Sequence, residues 1–496
     1  VPVNSTHPEY DAALPAWLRG RDVLSGEDAV KAGGEKYLPR LDSQSSEEFA
    51  GYVKRASFFN ATARTAEAYL GLIFRRQPFV KLPGDNASGA SSGLGRAMAD
   101  FANDVDMLGT TLSGYAKMVV GDVVGIGRCG SLVDWEDTVE QRAYVAFYRA
   151  EQIINWRVER VRGRNVPTLV VLSEMGPRQV ESGTKAAEVD EFEADLVEQI
   201  RVLRLVLDDA GNEFCRVDVW QARETPNKRK REWVLIESRV PRRLGRRLPL
   251  IPFVFHGPRH GRADVDKGPL EDILTVNLDH YRLDADFKHG LHFTALPTAW
   301  VSGFDKAASL RIGSSTAWVS ETPGATAGFL EFTGQGLTTF ERAMDRDEKL
   351  MAVLGSRMLE DVKRVGETAT AIELRQSGEY SILGSVALSV SESLTQVLRW
   401  VYWWNSTEEL PDDLTESHVL MQLNTDFSTK GLASQDVQAI VAAWQSGAIS
   451  QDTMHELFRR GEILPEGRTS EEELKLLQAD AKRAAAQVKK TTEQVM

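Results

Sequence analysis

The sequence predicts an α+β fold in which one strand-rich stretch is bracketed by helices, and three observations predict it. Helical periodicity governs the chain up to about Val124, alternating or β-branched runs follow from Ser131 to Ile236, and from Pro269 the pattern returns to long helices interrupted by a few short strands. At 496 residues, with 42% hydrophobic and 26% charged residues, the chain lies in the globular range but exceeds one ordinary core. Several domains are therefore expected. No period recurs along the sequence, so a solenoid or propeller is not supported.

In the first segment short loops alternate with amphipathic helices. Ser45-Ser46-Glu47-Glu48 has the pattern that starts a helix, and Tyr52, Phe58, Phe59, Ala66, Leu70 and Ile73 recur at roughly helical spacing until Pro78 and Pro83 end the run. Residues 86–95, rich in Gly and Ser, read as a flexible turn; one helix is expected from about Leu94 through Met107 and another from Leu112 to Val124. Strand signals then occupy 131–135, 144–148, 168–172, 199–206, 214–220 and 233–236, with Asp209-Ala210-Gly211 among the turns.

A helix is expected from Pro269 to about Phe293, then short strands at 298–302, 316–320 and 328–332, then a second helix from about Leu337 to Leu359. Two long helices thus flank a small β module. In the second, Leu337, Phe340, Met344, Met351, Leu354 and Met358 make a packing seam by three- and four-residue steps, broken only at Asp347. Glu341, Asp345 and Glu348 share another face, as either a solvated stripe or a deliberate line of charge. After the polar segment Glu360 to Glu367, a helix from Thr368 to Trp403 would be on the order of 50 Å long. From about Asp426 the chain reads as all helical, with Ser434, Ser450 and a Ser470/Glu473 capping box as starts and Gly447 and Gly461 as stops.

Bulk properties exclude several function classes. A formal net charge of -13 argues against gripping nucleic acid over a broad surface, because phosphate neutralisation needs excess Lys and Arg, but it is compatible with DNA sliding past. Two cysteines, Cys129 and Cys215, build neither a disulfide framework nor a four-ligand zinc site, and point to a reducing cytoplasm. Mean hydropathy is -0.29, residues 1–20 lack an apolar signal region, and the most apolar late stretch is interrupted by Ser389, Glu392 and Arg399, so no membrane segment is expected.

Motifs for chemistry are sparse. Gly125-Ile126-Gly127-Arg128-Cys129-Gly130 matches GxGxxG, yet a dinucleotide loop runs from strand to helix, whereas here a helix precedes and a strand follows. There is no GxxxxGK[ST] phosphate loop, HExxH, GxSxG or CxxC, so a nucleotide-driven motor is disfavoured. His280, His289 and His292 share a helix with Asp279, Asp284 and Asp286; either a metal or ordinary pairing with neighbours accounts for them, and His280 is expected beside Asp284. The basic clusters Lys228, Arg229, Lys230, Arg231 and Arg242, Arg243, Arg246, Arg247 lie on expected loops, where they touch phosphate, form solvated hairpin loops or contact an acidic neighbouring subunit.

Several segments together resemble a phage portal family once catalogued only as a domain of unknown function. Tyr52 through Thr65 and Gly71 through Pro78 carry its N-terminal signature; Ile153-Ile154-Asn155-Trp156, Leu250 to Phe253, Asn277 to Tyr281, His292 to Thr298 and the Asn424 to Pro465 region continue it in order. The resemblance covers most of the chain. It implies a portal fold: a wing at 1–265, stem helices at 266–293 and 336–358 around a clip at 294–335, a tunnel loop at 359–367, a long wing helix and return at 368–424, and a helical crown at 425–496.

The same resemblance implies a ring of about twelve subunits at a capsid vertex of the virion, assembled in the host cytoplasm. Double-stranded DNA passes through that ring; terminase, the major capsid protein and a neck or tail adaptor bind it. Glu341, Asp345 and Glu348 are then candidates for channel-facing charge, and Lys363 and Arg364 for transient phosphate contact in the tunnel loop. No cofactor, metal or enzymatic activity is expected. The competing readings are another ring-forming head–neck connector and, third, a metal-dependent nuclease built around His280.

Overall fold

In the computed structural model the described residues are 2–83, 93–161, 163–177, 196–224, 231–294, 298–303, 321–330, 336–357, 381–406, 419–425, 427, 434–460, 463–464 and 473–476. The N-terminal helices are α1 (Pro8–Ser25), α2 (Glu27–Ala32), α3 (Ser46–Arg55) and α4 (Ala61–Ile73), followed by strand β1 (Phe79–Lys81), α5 (Gly93–Asn103) and α6 (Leu112–Gly125). Ser45 caps α3 in a reciprocal box with Glu48, as its sequence pattern predicts.

The helical spacing from Tyr52 to Ile73 is nevertheless two helices rather than one. Asn60 caps α4 by accepting from the Ala63 N–H at 3.0 Å, and an N-cap needs non-helical backbone ahead of it. Similarly, α5 stops at Asn103 instead of reaching Met107. Asp106 accepts from the Leu108 N–H at 3.0 Å and Asp104 from the Gly109 N–H at 2.9 Å, offering the backbone local partners in place of helix. Met107 itself sits at φ 64°.

Antiparallel strands follow: β2 (Cys129–Glu136), β3 (Arg142–Arg149), β4 (Ile153–Val161), β5 (Arg164–Pro177), β6 (Leu196–Leu207), β7 (Glu213–Glu224), β8 (Arg231–Arg239), β9 (Arg242–Arg243), β10 (Arg246–Arg247) and β11 (Phe253–His256). Strands β4 to β8 form a five-stranded meander, and β11-β2-β3 form a smaller sheet. Four of these escape sequence reading, among them β9 and β10, which are two residues each. Strand β4 carries Arg157, Glu159 and Arg160 on an exposed end that dilutes its apolar start, while β11 is four buried residues, too short for a period.

The later elements are α7 (Glu271–Thr294), β12 (Thr298–Ser302), β13 (Thr326–Leu330), α8 (Leu337–Arg357), α9 (Ile382–Asn405), β14 (Leu420–Gln422), α10 (Ser434–Gln445) and α11 (Gln451–Arg460). Residues 368–380, expected as the start of the long helix, lie outside the described residues, as do the expected strand at 316–320 and Ser470. Helix α9 begins at the cap Ser381 and is buried on nearly all sides. Its hydroxyls make that burial tolerable: the Met421 N–H donates to Thr395 Oγ1 at 3.0 Å, the Leu423 N–H to Ser391 Oγ at 2.9 Å, and Ser389 Oγ donates to the Gly257 carbonyl at 2.8 Å. The first two bonds seat β14 and the residue after it; β14 pairs with β1 in register Val80↔Met421.

One large apolar core joins α1, α4 to α6, both sheets and α9, and ends in Trp400, Trp403 and Trp404, with Trp135 stacked 5.8 Å from Trp404. A second, smaller core unites Val23, Val30, Tyr37, Tyr52 and Phe58 with Leu274, Leu278, Tyr281 and Ala285 of α7. Inside the large core a hydrogen-bonded chain runs Tyr115 Oη to Ser131 Oγ (2.6 Å), Ser131 Oγ to His256 Nε2 (2.6 Å) and His256 Nδ1 to Ser393 Oγ (2.7 Å), linking α6, β2, β11 and α9.

The GxGxxG segment is a helix-to-strand turn, as its order predicts. Gly127 has φ 96°, and a Cβ there would lie 2.9 Å from the Gly268 Cα, because two backbones cross at this point. That crossing holds the loop from which α7 begins. Gly127→Ala combines left-handed strain with a backbone clash, so a loss of roughly 2 kcal/mol is expected, read as a lower midpoint in urea unfolding.

Candidate functional site

The antiparallel pair α7 and α8, with the β12–β13 hairpin between them in sequence, is the element on which function was expected to rest. Two close approaches set its direction: His280 Nε2 lies 3.5 Å from Glu348 Oε1, and a Cβ on Gly290 would meet Leu337 Cδ2 at 2.8 Å. Ten residues forward on α7 thus correspond to eleven back on α8. The seam predicted on α8 holds from Leu337 to Leu354, Met358 lying outside the described residues, and Asp347 belongs to it: at 5% exposure it is buried between Met344 and Met351 instead of interrupting the seam. Arg346 Nη2 stands 3.7 Å from it.

The first half of α7 is bolted to the N-terminal helices by polar contacts that periodicity does not reveal. Asn277, fully buried, accepts from Thr62 N (3.1 Å) and Thr62 Oγ1 (2.8 Å) and donates to the Phe59 carbonyl at 2.7 Å. Arg282 Nε donates to the Tyr37 carbonyl at 2.9 Å, and Asp284 accepts from the Ser57 N–H at 2.7 Å and pairs with Lys288 at 3.1 Å. Tyr52 bonds Asp286; burial first, then that carboxylate, raises the Tyr52 phenol above its ordinary value. Burial, then the nearby Arg55 guanidinium, lowers the His289 imidazole. On α8, Tyr69 Oη donates to the Gly355 carbonyl at 2.6 Å.

Asn277→Leu keeps the volume but leaves the Thr62 donors and the Phe59 acceptor buried without their partner. A loss of roughly 2 kcal/mol is expected, with faster amide exchange at Thr62 as its local signature.

Beyond these bolts the pair leaves the core. No described side chain is buried from 286 to 292 on α7 or from 336 to 346 on α8, and at the hairpin Trp300 is 46% and Phe329 54% exposed. The hairpin is in register Trp300↔Gly328, with the indole lying over the glycine.

Glu341, Asp345 and Glu348 are all exposed on α8, and Glu348 approaches His280. His280 is buried against Phe59 and turns to Glu348, not to Asp284 as its spacing suggests, because Asp284 is taken by Ser57 and Lys288. Among the described residues no group of three acidic, histidine or cysteine side chains is placed to hold a metal.

Arg242, Arg243, Arg246 and Arg247 form the β9–β10 hairpin, and two of them are committed to packing. Arg243 lies 4.3 Å from the Trp403 ring centroid and donates to the Ser406 carbonyl at 2.5 Å; Arg247 lies 4.5 Å from the Phe214 ring. Arg231 opens β8, while Lys228, Arg229, Lys230, Lys363 and Arg364, and with the last two the expected tunnel loop, lie outside the described residues. The buried cation that sequence reading missed is Arg128, 2% exposed inside the glycine-rich turn. No described helix is long and apolar enough to cross a membrane.

Comparison with known families matches residues 269–405 to a domain of unknown function (DUF4055), a span from the foot of α7 to the end of α9. No curated protein matches the chain. Among solved structures, the chain is similar to one from the virion of a native gene transfer agent particle, at 12% identity, 89% coverage of this chain, 99% of that one and a TM-score of 0.36. It is also similar to a chain from the neck of the native particle computed with C12 symmetry, at 10% identity, 89% and 99% coverage and a TM-score of 0.33. A third similarity is to a chain from the neck of the empty particle computed with C6 symmetry, at 10% identity, 81% and 90% coverage and a TM-score of 0.34.

Proposed function

We propose that the chain is the portal subunit of a tailed phage or phage-like particle: a ring-forming, non-enzymatic protein whose central bore passes double-stranded DNA. The observation that carries this reading is the α7–α8 pair, bolted to the α+β body at one end and emerging from it toward an exposed hairpin at the other. A rod with one anchored end and unburied flanks is poorly designed for an isolated globule. Repeated around an axis, it becomes the wall of a channel. The ordered resemblance of the sequence to a portal family supports the same reading.

In this ring the wing is the α+β body, and the β12–β13 hairpin is the clip. Trp300 and Phe329 on that hairpin suit docking of the packaging terminase and later of a neck or tail adaptor, since exposed aromatic side chains on a small β-hairpin are efficient anchors. The body contacts the major capsid protein. The net charge of -13 per chain keeps DNA mobile, because a bore of like sign does not bind phosphate tightly.

The test is direct imaging of purified full-length protein down its symmetry axis, together with its mass in solution. A closed ring of about twelve copies, with a bore wide enough for a duplex and α7 and α8 lining it, is expected. A stable monomer, or a solid assembly without an axial hole, would falsify the proposal.

A further inference from the structure

The β9–β10 hairpin reads Arg242-Arg243-Leu244-Gly245-Arg246-Arg247, and its turn is built against preference. Leu244 has φ 49° and Gly245 φ 77°, the two left-handed residues of a tight hairpin turn whose first position ordinarily takes Asn, Asp or Gly. A bulky leucine is strained in that conformation, and at 70% exposure little packing within the chain offsets the strain. Backbone strain of this kind is kept where a site uses the side chain it displays.

The strands add a second unfavourable feature. Arg243 stands opposite Arg246 and Arg242 opposite Arg247, and like charges directly across an antiparallel pair repel. The body nevertheless holds the hairpin in place: Arg243 lies at the Trp403 ring, and Arg247 at the Phe214 ring and 3.7 Å from Asp208. At the tip, Arg242 Nη1 donates to the Gly245 carbonyl at 3.1 Å, which keeps that guanidinium beside the turn. Arg242 and Arg246 are exposed, one on each strand, either side of Leu244.

Both unfavourable features are relieved by one kind of partner. Phosphates quench the repulsion among the arginines. The minor groove of duplex DNA, about 6 Å wide, admits an apolar side chain as a wedge between base steps, while its two rims offer phosphates to cations on either side. RNA helices present a wide, shallow minor groove that does not grip such a wedge. An acidic protein surface also quenches repulsion, but its carboxylates do not come in two parallel rows a groove apart.

We propose that the β9–β10 tip is a contact site for double-stranded DNA on the α+β body: Leu244 enters the minor groove, and Arg242 and Arg246 meet phosphates on its two sides. Two phosphate contacts on a chain of net charge -13 make a weak, salt-sensitive grip, which positions a duplex without immobilising it. The site goes beyond a bore of like charge, and because it stands on the body its test does not depend on ring assembly.

The experiment uses the full chain, a DNA duplex of about 30 base pairs with 2-aminopurine at its flexible TA steps, and poly-L-glutamate as an acidic chain without a groove. Binding of the parent should raise 2-aminopurine fluorescence as a base step unstacks. Leu244→Asn should raise the urea unfolding midpoint, since Asn-Gly suits the turn, and yet weaken duplex binding about fivefold and abolish the fluorescence rise. R242Q/R246Q should flatten the slope of log affinity against log salt by about 1.8, the share of two phosphates. A parent chain that does not bind the duplex, variants that bind it as the parent does, or a lower midpoint for Leu244→Asn overturns the inference. Equal binding of poly-L-glutamate also overturns it and reassigns the tip to an acidic protein partner. All of these outcomes leave the portal reading to its own imaging test.

Discussion

Arg128→Ala is expected to be the most damaging single substitution in the body of the protein, costing roughly 3 to 5 kcal/mol. Its guanidinium lies 4.3 Å from the Trp156 ring centroid and 4.8 Å from that of Phe255, and its Nη1 donates to the carbonyls of Ala263 (2.6 Å) and Asp264 (3.0 Å). His7 stacks on Trp156 at 4.2 Å, so the N-terminal segment leans on the same stack. Alanine removes two cation–π contacts, leaves two carbonyls without their donor and opens a void that the surrounding rings cannot fill. Burial also lowers the Arg128 pKa to about 10, a sign of how far the cation is removed from water. Arg128→Lys should recover only part of the loss, because an ammonium cannot stack as a planar guanidinium does. Urea unfolding of the three proteins, followed by tryptophan fluorescence, reads both effects; a midpoint unchanged in the alanine variant would remove Arg128 from this role.

The second large effect is a loss of stability in acid traceable to His256. Complete burial lowers its imidazole from 6.5 to about 3, so the folded protein holds it neutral between Ser131 and Ser393. In the unfolded chain the same ring takes a proton below pH 6.5. Stability contributed by the neutral ring is therefore fully present above pH 6.5 and falls by about 1.4 kcal/mol per unit as pH drops toward 3. At pH 4.5 the loss reaches about 3 kcal/mol. His256→Gln should start less stable at pH 7 and lose less on acidification, so the two unfolding free energies converge as pH falls. Parallel decline of both proteins between pH 7 and 4.5 would show that other groups carry the acid sensitivity.

These two residues also mark where sequence reading stops. Arg128 sits in a glycine-rich motif that the sequence correctly identifies as a helix-to-strand turn, yet nothing local says that its one long cation turns inward. His256 is one of four consecutive buried residues in a strand too short to show a period. The basic hairpin teaches the same lesson: four arginines look like a phosphate grip, but Trp403 and Phe214 each hold one. Only folding brings those rings, from distant parts of the chain, to the hairpin.

What the sequence determined by itself was most of the order of helices and strands, the seam and acidic stripe of α8, the break in the nucleotide-loop motif and the absence of common catalytic signatures. All of these are local, because helix and strand periods, caps and turn glycines act over a few residues. The tertiary structure alone decided that Asp347 is buried, that His280 turns to Glu348, that Asn277 bolts α7 to α4 and that the Thr395 and Ser391 hydroxyls on α9 seat β14 and the residue after it. Those outcomes depend on which polar atoms meet across long sequence separations. A buried polar group takes whichever partner packing delivers, and spacing along one element does not encode that choice.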